Sequence, residues 1–404
     1  MVTETLPWAR SVATGFRFGV GARDEPDDVA GASHFLEHLL FKGTEGRTAT
    51  EIAEAIESVG GEMNAHTGRE DTAYYTRLPA RHLELGLDVL SEVVLAPAFR
   101  PNEVEAERQV ILEEIAMDED SHEDRVFTLL ADALWPDHPL GREVAGTRES
   151  IEAMTRDDIA GFHHRWYTPA NLVVSAAGAL EHADVVDVVA KRFASVEGGE
   201  RPRRQPPTAP PRALAVQRRR SEQVHVALAM RGVSRHDPDR YALDVADQVL
   251  GGGTTSRLFQ AIREERGLAY SVYSSAAELD DTGELALYAG TAPGRFEAVL
   301  RLLVAELERF AAEGPTDAEL ATAKGYLEGS VLLGTESVAG TMSAIGRAVL
   351  HHDRVLTPDE VVARYRAVTA DDVRRVLDRV VRGTPSSVAV VGPVTKTEVK
   401  RILA

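Results

Sequence analysis

The same order of local patterns runs twice along this chain, and that repetition constrains its fold more than any other feature. From Thr48 the first pass reads helix, glycine turn and two alternating strands: Glu51-Ile-Ala-Glu-Ala-Ile-Glu-Ser-Val-Gly-Gly, Glu62-Met-Asn-Ala-His, then Ala73-Tyr-Tyr-Thr. From Ser256 the second pass repeats the order with Leu258-Phe-Gln-Ala-Ile-Arg-Glu-Glu-Arg-Gly, Tyr270-Ser-Val-Tyr and Glu284-Leu-Ala-Leu-Tyr. A helix, a break at Pro101 or Pro315 and a second helix follow in each pass. Each closes on a short helix and an apolar run, Asn171-Leu-Val-Val-Ser-Ala-Ala-Gly or Ser387-Val-Ala-Val-Val-Gly. Strands joined by short polar turns form hairpins. The expected fold is therefore α+β: two similar domains, each a largely antiparallel sheet with helices packed on one face.

Between the passes lies Glu197-Gly-Gly-Glu-Arg-Pro-Arg-Arg-Gln-Pro-Pro-Thr-Ala-Pro-Pro-Arg212, too rich in Pro and Gly for a helix interior or a central strand. The expected division is an N-terminal domain over 1–197, a Pro/Arg-rich linker over 198–220 and a C-terminal domain over 221–404. A chain of 404 residues is also too long for one ordinary core. The sequence opens close to a strand-like segment, Ser11-Val-Ala-Thr-Gly-Phe-Arg-Phe-Gly-Val, so a leading strand is expected to be missing from it.

With no cysteine in the chain, disulfides, thiol catalysis and thiolate metal sites are excluded, and any metal must be held by histidine and carboxylate. A formal net charge of -19 argues against a nucleic-acid partner, which demands a basic surface. The same charge suits basic peptides if the acid lines a cavity. No apolar run approaches the roughly 20 residues that span a bilayer, and no basic start followed by an apolar stretch opens the chain. The expectation is a cytoplasmic protein without a membrane partner.

Gly31-Ala-Ser-His-Phe-Leu-Glu-His-Leu-Leu-Phe41 carries the chemistry. Read as a helix capped by Ser33, it puts His34 and His38 one turn apart on one face, where both imidazoles can reach a single ion. Glu37 stands beside them, angled towards a water at that ion, while Phe35, Leu36, Leu39 and Leu40 supply a burying side. A third ligand should be a carboxylate on another helix. Glu103-Val-Glu-Ala-Glu-Arg-Gln-Val-Ile-Leu-Glu-Glu-Ile-Ala-Met is strongly helical, and Glu107 and Glu114, seven apart, share a face. A carboxylate run is usually only a solvated face, and Glu105 and Glu113 read that way. Leu250-Gly-Gly-Gly-Thr-Thr-Ser-Arg lacks the form of a phosphate loop, and the adjacent pairs His163-His164 and His351-His352 diverge on a helix.

His34-Phe-Leu-Glu37-His38, followed by Glu107-Arg-Gln-Val-Ile-Leu-Glu-Glu114, resembles the reversed zinc signature of the pitrilysin/insulinase peptidase family. The resemblance extends over nearly the whole chain, through Gly60-Gly-Glu-Met-Asn-Ala-His, Thr72-Ala-Tyr-Tyr, His138-Pro-Leu-Gly, Tyr167-Thr-Pro-Ala-Asn-Leu and Arg266-Gly-Leu-Ala-Tyr-Ser-Val. In size and layout it is similar to the mitochondrial processing peptidase β subunit and its bacterial relatives. The resemblance implies that His34, His38 and Glu114 bind Zn2+, that Glu37 is the general base, and that Glu107 orients a ligand. It implies that Glu62, Asn64, Ala65 and His66 lie on an edge strand that pairs with peptide substrates. It implies also that Arg263 and Tyr270 touch the scissile region, and that the enzyme is an endopeptidase working as a homodimer. Two other readings come with it: a non-catalytic scaffold subunit, or an active subunit that needs a different partner chain. The filled zinc signature favours an enzyme.

Overall fold

The computed structural model of the chain describes residues 1–196 and 198–404; Glu197, where the expected N-terminal domain ends, lies outside the described residues. Two five-stranded sheets share one topology. The first contains β1 (Val2–Thr5), β2 (Ser11–Phe18), β3 (Glu62–Thr67), β4 (Thr72–Pro79) and β5 (Leu172–Gly178), in the order β1-β5-β2-β4-β3. The second contains β6 (Leu214–Arg218), β7 (Val224–Gly232), β8 (Ala269–Glu278), β9 (Gly283–Thr291) and β10 (Ser386–Gly392), in the order β6-β10-β7-β9-β8. Within each sheet only the outermost pairing, β1 with β5 or β6 with β10, is parallel; the rest are antiparallel. The repeat read from the sequence is thus a repeat of topology, and the α+β class holds.

One expectation about the strands changes. Val2–Thr5 takes in the first sheet the place that Leu214–Arg218 takes in the second. Leu214–Arg218 in turn lies inside the segment expected as linker. Its alternating Leu214 and Val216 pack against the second core, which draws the end of the linker into the sheet.

By compactness the described residues form two units. Unit 1 comprises Met1–Ile115, Glu143–Arg204 and Leu332–Thr357; unit 2 comprises Ala116–Arg142, Gln205–Val331 and Pro358–Ala404. The units do not follow the halves of the chain, because each includes one helix from the other half. In unit 1 the even residues of β2 (Val12, Phe16, Phe18) join Leu87, Leu90 and Val94 of the helix Leu83–Leu95 in the main core. The odd residues face the other way. There Ala13 and Ala177 pack against Val338 and Met342 of the helix Val338–His352. A Cβ on Gly15 would lie 2.4 Å from Met342 Sδ, so that helix sits close against the sheet. Unit 2 repeats the arrangement: Val226 and Leu228 belong to the main core, while Ala227, Ala229, Ala286 and Ala389 meet Val126, Leu130 and Leu134 of the helix His122–Leu134. Helices therefore cover both faces of each sheet, one more layer than expected. Among the described residues no helix is long and apolar enough to cross a membrane.

Candidate metal centre

Helix α1 (Ala32–Leu40) begins at Gly31, whose φ of 94° is left-handed and whose place allows no side chain: a Cβ there would stand 2.6 Å from Ala145 O. Gly31 is the cap residue and Ser33 is not, contrary to the sequence reading. The cap's chemistry comes from further back. The carboxylate of Glu25, itself buried, accepts hydrogen bonds from the backbone N–H of Gly31 and of Ser33, each at 2.7 Å. Two otherwise orphaned donors are satisfied, and negative charge sits at the helix N-terminus. Phe35, Leu36, Leu39 and Leu40 are buried in the unit 1 core, which turns His34, Glu37 and His38 to the other side.

Helix α2 (Ala49–Glu57) follows, and the 20-residue helix Pro101–Asp120 brings the third group. Val104, Ile111 and Ile115 anchor its inner side, and Glu107 and Glu114 then project towards α1. Glu114 Oε2 lies 3.7 Å from His34 Nε2 and 3.5 Å from His38 Nε2. One ligand atom from each of the three lies within 4.8 Å of the others, the only such group of three or more among the described residues. Tetrahedral zinc with bonds near 2.1 Å would separate its ligand atoms by about 3.4 Å, close to the two histidine–Glu114 distances. Glu114 keeps 42% of its side chain exposed, which leaves the fourth side open to solvent.

The protonation states fit the same purpose. Burial, with His38 adding to it and Glu114 opposing, lowers the His34 imidazole to about 4, so at neutral pH it is the uncharged form that ligation needs. His38 Nδ1 faces Glu107 Oε2 at 3.1 Å, and an N–H donated to that carboxylate turns Nε2 towards the cluster. Glu107 is 4% exposed and is held on its other oxygen by Lys42 Nζ at 2.8 Å. Lys42 was missed in the sequence; it stands one turn after His38, and a helix-end lysine ordinarily reads as solvated. Glu37 is half-buried beside His38. Close by, Tyr74 and Tyr167 share a hydrogen bond of 3.0 Å; burial raises both hydroxyls far above the usual phenol range, and the Glu37 charge adds to this.

β3 is an edge strand of the first sheet, as expected for Glu62, Asn64, Ala65 and His66. Glu62, Asn64 and His66 are exposed, while Met63 and Ala65 lean on the core. Glu62 pairs with Arg77, and Asn64 Oδ1 accepts from Ala65 N–H. A cavity of about 500 Å³ opens beside the strand, lined by Phe41, Ile52, Ala53, Ile56, Met63 and Tyr75.

Arg263 and Tyr270 lie in unit 2 and are joined there. Arg263 sits in a π-helical turn, Phe259–Glu264, and Tyr270 is the extra residue of a bulge, since Ala269 pairs with Thr291 and Ser271 with Gly290. Bulging leaves Tyr270 81% exposed. Arg263 Nη1 donates to Tyr270 O at 2.9 Å, and its guanidinium lies 4.6 Å from the Tyr270 ring and 4.7 Å from that of Phe259.

Comparison with known proteins adds a family. The model described as Insulinase (Peptidase family M16) matches residues 1–148, and that described as Peptidase M16 inactive domain matches residues 153–327. An uncharacterised zinc protease of Mycobacterium leprae is 43% identical over 403 residues, covering 97% of this chain and 89% of the relative. One of Streptomyces coelicolor is 42% identical over 410 residues, covering 100% and 89%. The crystal structure of a protease from Helicobacter pylori shares the fold at a TM-score of 0.91 and 24% identity, covering 97% of this chain and 96% of that one.

Proposed function

Because the chain belongs to the insulinase family, peptidase family M16, we propose that it is a zinc-dependent endopeptidase that cuts extended, unfolded peptides. One observation carries this reading: His34, His38 and Glu114 converge at ligand spacing, with Glu37 on the same face of α1. All four lie in the half matched by the Insulinase model; the inactive-domain description belongs to the other half. That distribution favours an enzyme over a scaffold subunit.

Zinc held there supplies Lewis acidity for the scissile carbonyl and lowers the pKa of a water towards ~7. The chain's own groups do the rest. Glu37 takes the proton of the attacking water and returns it to the leaving amine. Glu107 fixes the tautomer and angle of His38. The edge of β3 offers backbone groups to an extended substrate, and the neighbouring cavity receives an apolar side chain. Arg263 and Tyr270, supplied by a second copy of the chain in a cytoplasmic homodimer, steady the substrate's carbonyl oxygen.

The test is Glu37→Gln. It should retain zinc by metal analysis yet lose ~10²–10⁴-fold in peptide cleavage, the usual contribution of a general base. Normal cleavage by the zinc-loaded variant refutes the mechanism.

A further inference from the structure

The Pro/Arg-rich segment after the first half ends its share of unit 1 at Arg204. That side chain is only 12% exposed, although its neighbours in the linker are mostly solvated. Its guanidinium ties three segments together. Nε donates to Asp24 Oδ1 at 2.9 Å and Nη2 to Asp24 Oδ2 at 2.8 Å. Nη2 also donates to Glu70 O at 2.6 Å, in the turn that follows β3, and to Gly19 O at 3.2 Å, just past β2. Glu70 in turn binds Arg23 Nη1 at 2.6 Å, with both side chains 2% exposed. The loop carrying Arg23 and Asp24 is also fastened by its backbone: Ala22 N–H donates to Gly68 O and Arg23 N–H to Arg69 O. The next residue is Glu25, whose carboxylate caps α1.

We propose that Arg204 is a positioning residue for the metal centre: it locks the loop Gly21–Glu25, and through the Glu25 cap it fixes the first turn of α1, where His34 stands. In this buried cluster Arg23 is paired with Glu70 and Arg204 with Asp24. Removing Arg204 leaves an uncompensated acid in a site that cannot hydrate it, so the loop must move to reach water. Glu25 moves with it, and the backbone donors of Gly31 and Ser33 lose their acceptor. The β3–β4 turn, released from the same guanidinium, loosens with the loop. The linker thereby acts on the metal site across a distance in sequence that no local motif spans.

The experiment compares the full-length chain with Arg204→Gln, Arg204→Lys and, as a control on the same linker, Arg212→Gln, whose partners are the surface residues Asp132 and Asp137. Hydrogen exchange of the metal-free protein is read at the amides of His34–His38 and, as an internal reference, within Leu83–Leu95. Arg204→Gln should speed exchange in α1 by ~10-fold or more and leave the reference helix unchanged, as local opening does. Arg204→Lys should restore part of the protection, and Arg212→Gln should change nothing. Zinc affinity, measured by competition with a chelator, should fall ~10–100-fold in Arg204→Gln, the range for outer partners of metal ligands. Unchanged exchange in α1, or equal acceleration in both helices, overturns the proposal. If Arg204→Gln does not fold, Asp24→Asn removes the same ion pair at equal volume, and unchanged α1 exchange in that variant overturns it. The affinity measurement rests on the zinc reading and the exchange measurement does not. A wild-type chain that binds no zinc therefore defeats the former alone.

Discussion

If zinc occupies the site formed by His34, His38 and Glu114, replacing Glu107 asks how much of its affinity comes from a carboxylate outside that set. The Glu107 carboxylate is 4% exposed, accepts from His38 Nδ1 at 3.1 Å and is braced by Lys42 at 2.8 Å. A hydrogen bond to a charged partner contributes about 1.5–3 kcal/mol, and a neutral one about 0.5–1.5 kcal/mol. Glutamine keeps an acceptor oxygen at nearly equal volume but removes the charge, a difference of about 1–1.5 kcal/mol. At 1.4 kcal/mol per tenfold, zinc should bind Glu107→Gln roughly 10-fold more weakly. Alanine removes the bond altogether and leaves Lys42 without its carboxylate, so ~10–150-fold is expected for Glu107→Ala. Lys42→Met, which keeps the carboxylate but frees it to swing, should fall between wild type and Glu107→Ala. The assay is competition between metal-free protein and a chromophoric chelator. A dissociation constant within twofold of wild type for both Glu107 variants, with the fold intact, refutes the claim that this carboxylate sets the histidine.

If active sites are shared between subunits, mixing Glu37→Gln with Arg263→Ala/Tyr270→Phe should recover about a quarter of wild-type activity, since half the dimers are mixed and half their sites are whole. No recovery, once subunit exchange is verified, rejects the shared site. With a formal charge of -19, the chain should cut basic unfolded peptides faster than acidic ones of equal length, with the preference shrinking as salt rises; a salt-independent preference removes the electrostatic argument. Burial raises the Asp247 carboxyl to about 6, so its proton is held more tightly in the fold than in the open chain, where its value is 3.8. The stability it contributes is complete below pH ~4 and lost as pH rises through ~6, by at most about 3 kcal/mol. Asp247→Asn should therefore gain stability relative to wild type as pH is raised from 4 to 7; a difference independent of pH refutes this.

The candidate site was partly legible: His34 and His38 stand four apart on one helix and Glu107 and Glu114 seven apart on another, spacings that put each pair on one face, and His34, His38 and Glu114 do come together in the fold. Glu25 and Arg204 were not legible. Their effect passes through backbone donors and a buried acid pair, and 179 positions separate Glu25 from Arg204 in the numbering, so no window contains the relation. The second helical layer left a signal that went unread. Ala13 and Gly15, and Ala227 and Ala229, alternate with large apolar residues, and a strand with small residues on its second face is prepared for close cover rather than for water. The exposure of Tyr270 depends on a bulge, which is a matter of register between strands and has no local signature.

The reciprocal trade of helices between the halves bears on how the protein comes apart. A protease that nicks the Pro-rich strap severs one peptide bond but liberates nothing that is whole. The leading fragment lacks Val338–His352, and the trailing one lacks His122–Leu134. Each would present a bared sheet surface, Ala13 and Ala177 on one and Ala227, Ala229 and Ala389 on the other, of the kind that drives aggregation. The nicked molecule should thus persist as a non-covalent pair. During synthesis the first sheet must also wait, with one side uncovered, until most of the second half has left the ribosome.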